Sequence, residues 1–445
     1  MRILRQNSVR VITAGLVAGI VISVIGWGVL SGRPSERQGM DPAAAETGLA
    51  PTASSGGARE EPISRDRFHR AIDLAADYLT GACGRDGRFA YHVSLDPDAL
   101  ECQSYNIVRH AGTIYALGMH YAWRPTDAVR ETMVRAAGYL KHEAMGPVPG
   151  RNDLLAVWEC PDVDDFSVPI RTTLGACGVG LLALVSTERA APGTTPIAEL
   201  RRLASFVVSL QNNDGRFCHS YLPSLGGQSD GRECLYYPGE AALGLLGLYE
   251  FDPDPLWLET AAKALGWLAR SREKATVVPP DHWALLATAG LLPHCQRCST
   301  VVTREQLLRH AVQICQNILD EQTQSLQPSA DPECMTGDNR TCPTATRLEG
   351  LLAVYPFLGS EPEGFRTRMA VAMSGGIDFL VRSQFSDGPL AGGIPGVSRP
   401  LAKDHPDYSE AFNAETAEVR IDYVQHAMCA MVHCDRVLPE DRGVK

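Results

Sequence analysis

The chain has 445 residues, enough for two or three ordinary domains or for one large closed array of repeats. Its 52 acidic residues outnumber 41 basic ones, for a net charge of −11, and no basic run suits a phosphate backbone. Nucleic acid is therefore not an expected partner. Aromatic residues make up only 7%, which disfavours chemistries that need a cage of rings.

In chain order, residues 1–10 carry Arg2, Arg5 and Arg10, and Val11 to Leu30 is an uncharged apolar run. That run is long enough to cross a hydrocarbon core, and no small-residue cleavage site sits at its end, since Ala43-Ala44-Ala45 lies well beyond it. This predicts an uncleaved signal anchor at 11–30. The arginines would stay in the cytoplasm, and the body of a single-pass membrane protein would lie outside it, periplasmic or extracellular. Residues 31–62 are rich in Gly, Ser, Ala, Pro and Glu and read as a flexible linker.

From residue 65 to 435 the pattern is helical, apolar at i, i+3, i+4 and i+7, with almost nothing that alternates like a strand. Segments pair as an amphipathic helix followed by a more uniformly apolar, small-residue helix. The pairs are 66–82 with 105–122, 127–145 with 170–186, 196–211 with 236–250, 254–272 with 281–292, 303–322 with 345–358, and 365–384 with 418–434. Charged faces such as Glu199, Arg201 and Arg202 mark the first members as outer helices. Glycine-rich stretches such as Gly175, Gly178 and Gly180 mark the second members as buried. The expected fold is all-α: an (α/α)6 toroid of six helical hairpins preceded by one transmembrane helix, with 436–445 as a tail.

Thirteen cysteines suit an oxidising compartment. Cys83 and Cys102, Cys218 and Cys234, and Cys334 and Cys342 bracket equivalent loops, which suggests local disulfides. Cys295-x-x-Cys298 reads as half a zinc site, a tight disulfide or a redox pair. No second such motif supports zinc, so neither metal nor cofactor is expected.

A short motif recurs. Phe206-Val207 is followed by Gln211 and Asp214-Gly215-Arg216-Phe217; Phe379-Leu380 by Gln384 and Asp387-Gly388; Tyr78-Leu79 by Asp86-Gly87-Arg88-Phe89, with Cys83 near the glutamine position. It resembles the repeat of squalene–hopene cyclases and the wider terpenoid-cyclase and prenyltransferase-like toroids, with Phe where that family usually has Trp. The resemblance covers 65–435 as fold and implies little about activity. Asp162-Val163-Asp164-Asp165 also matches the acid motif of class II terpenoid cyclases, in which Asp164 would be the general acid that protonates an alkene. Against that role, Phe166-Ser167-Val168-Pro169 follows the motif where the family has Thr-Ala.

In such a toroid the inner helices start at one mouth of the barrel, and here their first turns are unusually polar. The candidate substrate-binding residues are Asn106, Arg109, Arg171, Tyr236, Tyr237, Trp283, Arg347, Glu349 and Arg420. Glu240, Asp422, His426 and His110 are the candidate proton-transfer groups. Four arginines at one mouth favour an anionic ligand, and carboxylates with stacking rings suit a carbohydrate, such as a uronate. The sequence thus points to a hydrolase-, lyase- or epimerase-type enzyme on an anionic, carbohydrate-type substrate. A cyclase acting through Asp164 and a non-catalytic glycan- or peptide-binding toroid are the alternatives.

Overall fold

A computed structural model describes residues 63–97, 105–159, 170–229, 233–327, 330–359 and 364–438. In chain order the helices are α1 (Arg65–Ala82), α2 (Ile107–Trp123), α3 (Asp127–Tyr139), α4 (Leu174–Ala190), α5 (Ile197–Ser209), α6 (Tyr237–Tyr249) and α7 (Pro255–Arg272). They continue with α8 (His282–Leu291), α9 (Arg304–Gln324), α10 (Thr341–Val354), α11 (Phe365–Ser383), α12 (Glu410–Glu415) and α13 (Ile421–Val437). The short strands are β1 (His92–Ser94), β2 (Met145–Val148), β3 (Arg151–Val157), β4 (Thr172–Thr173), β5 (Ser220–Leu222), β6 (Gly227–Ser229) and β7 (Glu418–Arg420).

Helices α2, α4, α6, α8, α10 and α13 pack each on the next, and α13 returns to α2, so the inner ring closes. Outer helices α1, α3, α5, α7, α9 and α11 each lie against two inner ones. Their sequences explain the division. In α1, Phe68, Ala71, Ile72, Ala75, Ala76 and Leu79 form one buried stripe, while α4 is buried on nearly every face. Small residues set the spacing: a Cβ on Gly244 of α6 would stand 2.3 Å from the Gly178 carbonyl of α4. The six expected hairpins are therefore all present.

The recurring turn has a structural explanation. Gln211 Nε2 donates to Gly215 O (3.2 Å) and to Thr260 O (2.9 Å) on the next outer helix, α7. Gln384 Nε2 makes the same two bonds, to Gly392 O (3.2 Å) and to Ala71 O of α1 (2.9 Å). Gly215 and Gly392 both take positive φ (97° and 86°) and press on a carbonyl of that neighbouring helix. The counterpart of Gly215 is thus Gly392, four residues beyond the Gly388 that the sequence motif suggests. At these two turns, and at Gly87, which presses on the Arg135 carbonyl of α3, the motif fastens one outer helix to the next.

Several expectations need correction. Among the described residues no helix is long and apolar enough to cross a membrane; α4, buried on nearly every face, has 17 residues. The run 11–30, on which the membrane partner and the extracytoplasmic location rested, lies outside the described residues, and the anchored topology is not carried forward. Among the described residues the expected disulfides are not formed: Cys83, Cys234, Cys334 and Cys342 are free thiols, and Cys102 lies outside the described residues. Other bonds close those loops. The loop after α5 is held by the antiparallel β5–β6 pair, and Asp331 N binds Asn339 Oδ1 (2.9 Å) in the loop after α9. Cys295 and Cys298 are also free, with their thiols 3.8 and 3.7 Å from the Leu291 and His294 carbonyls one turn back. Finally, a π-helical turn, Leu140–Ala144, carries α3 to within one residue of the expected helix end, a β2–β3 hairpin follows where the sequence shows no strand, and β4 and β7 occupy the starts of two expected inner helices.

Candidate active site at the inner-helix N-termini

Strand pairing brings the starts of the inner helices to one mouth. β1, which precedes α2, pairs antiparallel with β7, which runs directly into α13, so His92 faces Arg420 in register. β4 in turn runs into α4 and pairs with β5.

The innermost feature is an acid–histidine pair. His426 on α13 and Glu349 on α10 meet at 2.6 Å through Nδ1 and Oε1. Glu349 is 1% exposed, and burial pushes its carboxyl above the usual range while His426 pulls it down. Asp422 lies one helical turn from His426 but turns away from it. It receives Arg420 through two nitrogens (2.6 and 3.0 Å) and Arg109 through Nε (3.1 Å).

Helix α8 adds a second imidazole. Asp281 caps the helix by accepting from Ala284 N (3.0 Å) and pairs with Arg272 (3.0 Å), which fixes the first turn. His282 follows, 2% exposed, with neither ring nitrogen in a hydrogen bond. Its ring stands edge-on to His426, centroids 5.5 Å apart, and to Tyr236 at 5.0 Å. Burial first, then His426 and Arg347, hold its pKa well below the usual histidine value, so it is neutral. Trp283 lies 6.5 Å from His426 and 6.4 Å from Tyr115, forming an aromatic wall beside the pair. The sequence places His282 at the start of an inner helix without marking it as functional; its position beside Trp283 in the first turn was the signal.

Helix α6 supplies Glu240, whose Oε2 has no hydrogen-bond partner. Burial, with a smaller push from Asp281, raises its pKa to about 8, so it is a neutral acid at pH 7. Its carboxyl lies where a side chain on Gly175 of α4 would be, since a Cβ there would come 2.2 Å from Oε2. Tyr237 occupies the same gap, and burial pushes its hydroxyl up to about 12.

Other expected residues lie elsewhere or are already engaged. His110 is completely buried and faces outward: Nδ1 meets Tyr105 Oη (2.7 Å) and Nε2 meets Ala136 O of outer helix α3 (2.9 Å). Burial lowers its pKa to about 4. Asn106 caps α2, its Oδ1 accepting from Val108 N and Arg109 N (2.9 and 3.1 Å). Each of the four arginines has a carboxylate partner: Arg171 with Glu159, Arg347 with Glu321, Arg109 with Asp422, and Arg420 with Asp422 and Glu418. The partners come from other segments, which is why the sequence shows only the positive half. Each pairing offsets part of the positive charge that an anion would meet at the mouth. Asp164 lies outside the described residues. Among the described residues no cluster of His, Cys, Asp and Glu is arranged to hold a metal ion.

Fold and site together define an α/α toroid whose inner helices enclose an acid–histidine pair, Glu349 in the third turn of α10 and His426 in the second turn of α13. No protein-family model and no curated protein matches the chain. Solved structures do match it. A sugar epimerase from a ruminal bacterium superposes with a TM-score of 0.60 at 14% identity, covering 85% of this chain and 99% of that one. The cellobiose 2-epimerase of Spirochaeta thermophila gives 0.55 at 14%, over 84% and 99%. A family 88 glycosyl hydrolase from Bacteroides vulgatus gives 0.54 at 13%, over 84% and 100%. At these identities the likeness is one of fold. It replaces the terpenoid-cyclase resemblance, which rested on the turn motif, with toroids whose names denote epimerases, isomerases, hydrolases and lyases. The hydrolase, lyase or epimerase type expected from the sequence agrees with those names.

Proposed function

We propose that the chain is a carbohydrate-active enzyme that moves a proton at a carbon of a sugar, as an epimerase or isomerase does. One observation carries the reading: the buried His282 and the partly buried His426, imidazoles 5.5 Å apart, stand beside the Trp283 indole. A carbon-bound proton becomes acidic next to a carbonyl, and an open-chain sugar supplies one. In the proposed step an imidazole takes the proton from the carbon beside the carbonyl, and the electron pair moves onto the carbonyl oxygen to give an enediolate. The resulting imidazolium or its partner returns a proton, to the opposite face for an epimer or to the neighbouring carbon for an isomer. Glu349 would orient His426 and stabilise its charged form, His282 is kept neutral by burial, and Trp283 with Tyr115 would receive an apolar sugar face. Three of the fold matches, a sugar epimerase, a D-mannose isomerase and a cellobiose 2-epimerase, are named for reactions of this type. The neutralised arginines support a neutral sugar over a uronate.

Glu240 favours a second reading. A neutral, unpartnered carboxyl with its pKa near 8 is suited to protonate a glycosidic oxygen. Hydrolysis needs a second carboxylate across the bond. Asp281, beside Glu240, is committed to Arg272 and to the α8 cap. The test is incubation with glucose, mannose and cellobiose in D2O, followed by proton NMR. The proposal expects solvent deuterium at the carbon beside the carbonyl and a second sugar accumulating. New reducing ends from oligosaccharides without deuterium uptake would favour the Glu240 reading, and neither change would overturn both.

A further inference from the structure

We infer that the chain also opens the ring of its sugar, with the Glu240 carboxyl as the acid on the ring oxygen and His282 as the base on the anomeric hydroxyl. The inference rests on the proton-transfer reading above and supplies the step before it. Proton abstraction beside a carbonyl needs the open chain, whereas a reducing sugar in water is almost entirely a closed hemiacetal. A site that opens the ring makes its own substrate.

Glu240 lies on the face of α6 that looks into the ring of helices. Between Pro238 and Tyr249 only Leu243 and Gly247 are half-buried, and Tyr236 is half-buried one turn before Glu240. The positions 236, 240, 243 and 247 are three and four apart and share that face. Glu240 N donates to Tyr236 O (3.0 Å), so the turn between them is intact. The Tyr236 ring in turn meets His282 edge-on at 5.0 Å. Gly239 lets this turn close on the start of α8, since a Cβ there would stand 2.5 Å from Trp283 C and from Ala284 N. The turn that carries Glu240 therefore packs directly on the turn that carries His282. On its other side Gly175 of α4 leaves the gap that holds Oε2, and that oxygen has no hydrogen-bond partner.

In the step, neutral Glu240 gives its proton to the ring oxygen. The bond from the anomeric carbon to that oxygen breaks, and its electron pair stays on the oxygen. An unpartnered His282 nitrogen takes the anomeric hydroxyl proton, and the freed O–H pair becomes the second bond of the carbonyl. A carboxylate and an imidazolium form together, so two charges that burial disfavours singly arise as an attracting pair. Solvent takes the imidazolium proton before His282 acts at carbon and returns one for closure, which runs both transfers backwards. Hydrolysis would ask more of the same acid, namely a second carboxylate across the bond. Ring opening does not, because the leaving oxygen stays tethered to the sugar, and Asp281 beside Glu240 is already held by Arg272.

The test follows freshly dissolved single anomers of glucose and mannose by proton NMR with the full chain. Ring opening predicts that wild type speeds the approach to anomeric equilibrium. Glu240→Gln, whose amide is no acid, should lower that acceleration by about 100-fold or more. Glu240→Met, which puts no polar atom beside Gly175, should give the same loss and decides the matter if the amide variant does not fold. Deuterium uptake adds a second readout, because glyceraldehyde is too short to close such a ring. The ratio of uptake by mannose to uptake by glyceraldehyde should fall about 100-fold in Glu240→Gln. No acceleration by wild type, an acceleration that both variants keep, or an unchanged ratio would overturn ring opening. Anomer exchange breaks no carbon–hydrogen bond. Glu240-dependent acceleration without deuterium uptake would therefore keep ring opening and discard the epimerase reading, and uptake without acceleration would do the reverse.

Discussion

The starts of α2 and α8 look alike in sequence and differ in the fold. Each places a histidine in the first turn of an inner helix, and each buries it almost completely. At α2, His110 turns outward and spends both nitrogens on Tyr105 and Ala136. At α8, His282 turns toward His426 and spends neither. Burial lowers both pKa values, so low basicity does not separate them. Satisfaction does: a buried polar group that is paired holds the fold together, whereas one left unpaired costs stability and is available to a ligand.

Four experiments would break or sharpen that contrast, in order of expected effect. Removing either imagined base, by His426→Gln or His282→Phe, should lower deuterium exchange by about 10³-fold, within the usual range for a positioned acid–base group. An effect under tenfold for both would remove the pair from the chemistry. His110→Phe should instead cost about 1–2 kcal/mol in denaturant unfolding, because the Tyr105 hydroxyl and the Ala136 carbonyl lose their bonds to the ring and keep only those from Phe89 N and Leu140 N. His282→Phe removes two unsatisfied nitrogens and should leave stability unchanged or raised by about 1 kcal/mol. Equal losses for the two substitutions would erase the distinction.

The third concerns Glu240. Its folded pKa of about 8 lies above the usual 4.5. Below about pH 4.5 the carboxyl is protonated in both folded and unfolded chains. Between 4.5 and 8 only the unfolded chain ionises, so the folded chain holds more protons and wild-type stability falls as pH rises. Glu240→Gln cannot ionise. Its melting temperature should therefore pull ahead of wild type across that window and stay level above it, at about 1.4 kcal/mol per unit of pKa difference. Parallel melting curves would mean that Glu240 is charged in the fold. The smallest effect belongs to the rim: Arg171→Gln breaks a partly exposed pair with Glu159 and should cost about 0–1 kcal/mol, with KM for a neutral sugar unchanged. Turnover of a uronate by wild type, with a KM raised at least tenfold in Arg171→Gln, would restore the anionic-ligand reading.

The toroid was legible because its determinants are local and repeated. The stripe Phe68, Ile72, Ala75, Leu79 and the glycines of α4 carry their own period, and the Gln211 turn recurs at Gln384. The origin of the turn motif was not legible, because the bonds that explain it reach carbonyls on the next helix, Thr260 and Ala71. The β2–β3 hairpin was missed because its strands do not alternate: in β3, Leu154, Leu155, Ala156 and Val157 are buried in succession. The site was half legible. Polar residues near the starts of the expected inner helices gave Glu240, Trp283, Glu349 and His426, although α10 begins at Thr341 and places Glu349 in its third turn. Each residue along a helix turns the side chain by about 100°, so the sequence could not tell the outward His110 from the inward His282. Nor could it pair Arg171 or Arg347 with carboxylates on distant segments.

The central claim is that the His282–His426 pair transfers a proton at a sugar carbon. The most direct test is deuterium uptake from D2O by a reducing sugar, measured on wild type, His282→Phe and His110→Phe, each brought to the same folded fraction. The account predicts uptake by wild type and by His110→Phe and almost none by His282→Phe. Equal uptake by all three, or none by wild type across the sugar panel, would contradict it.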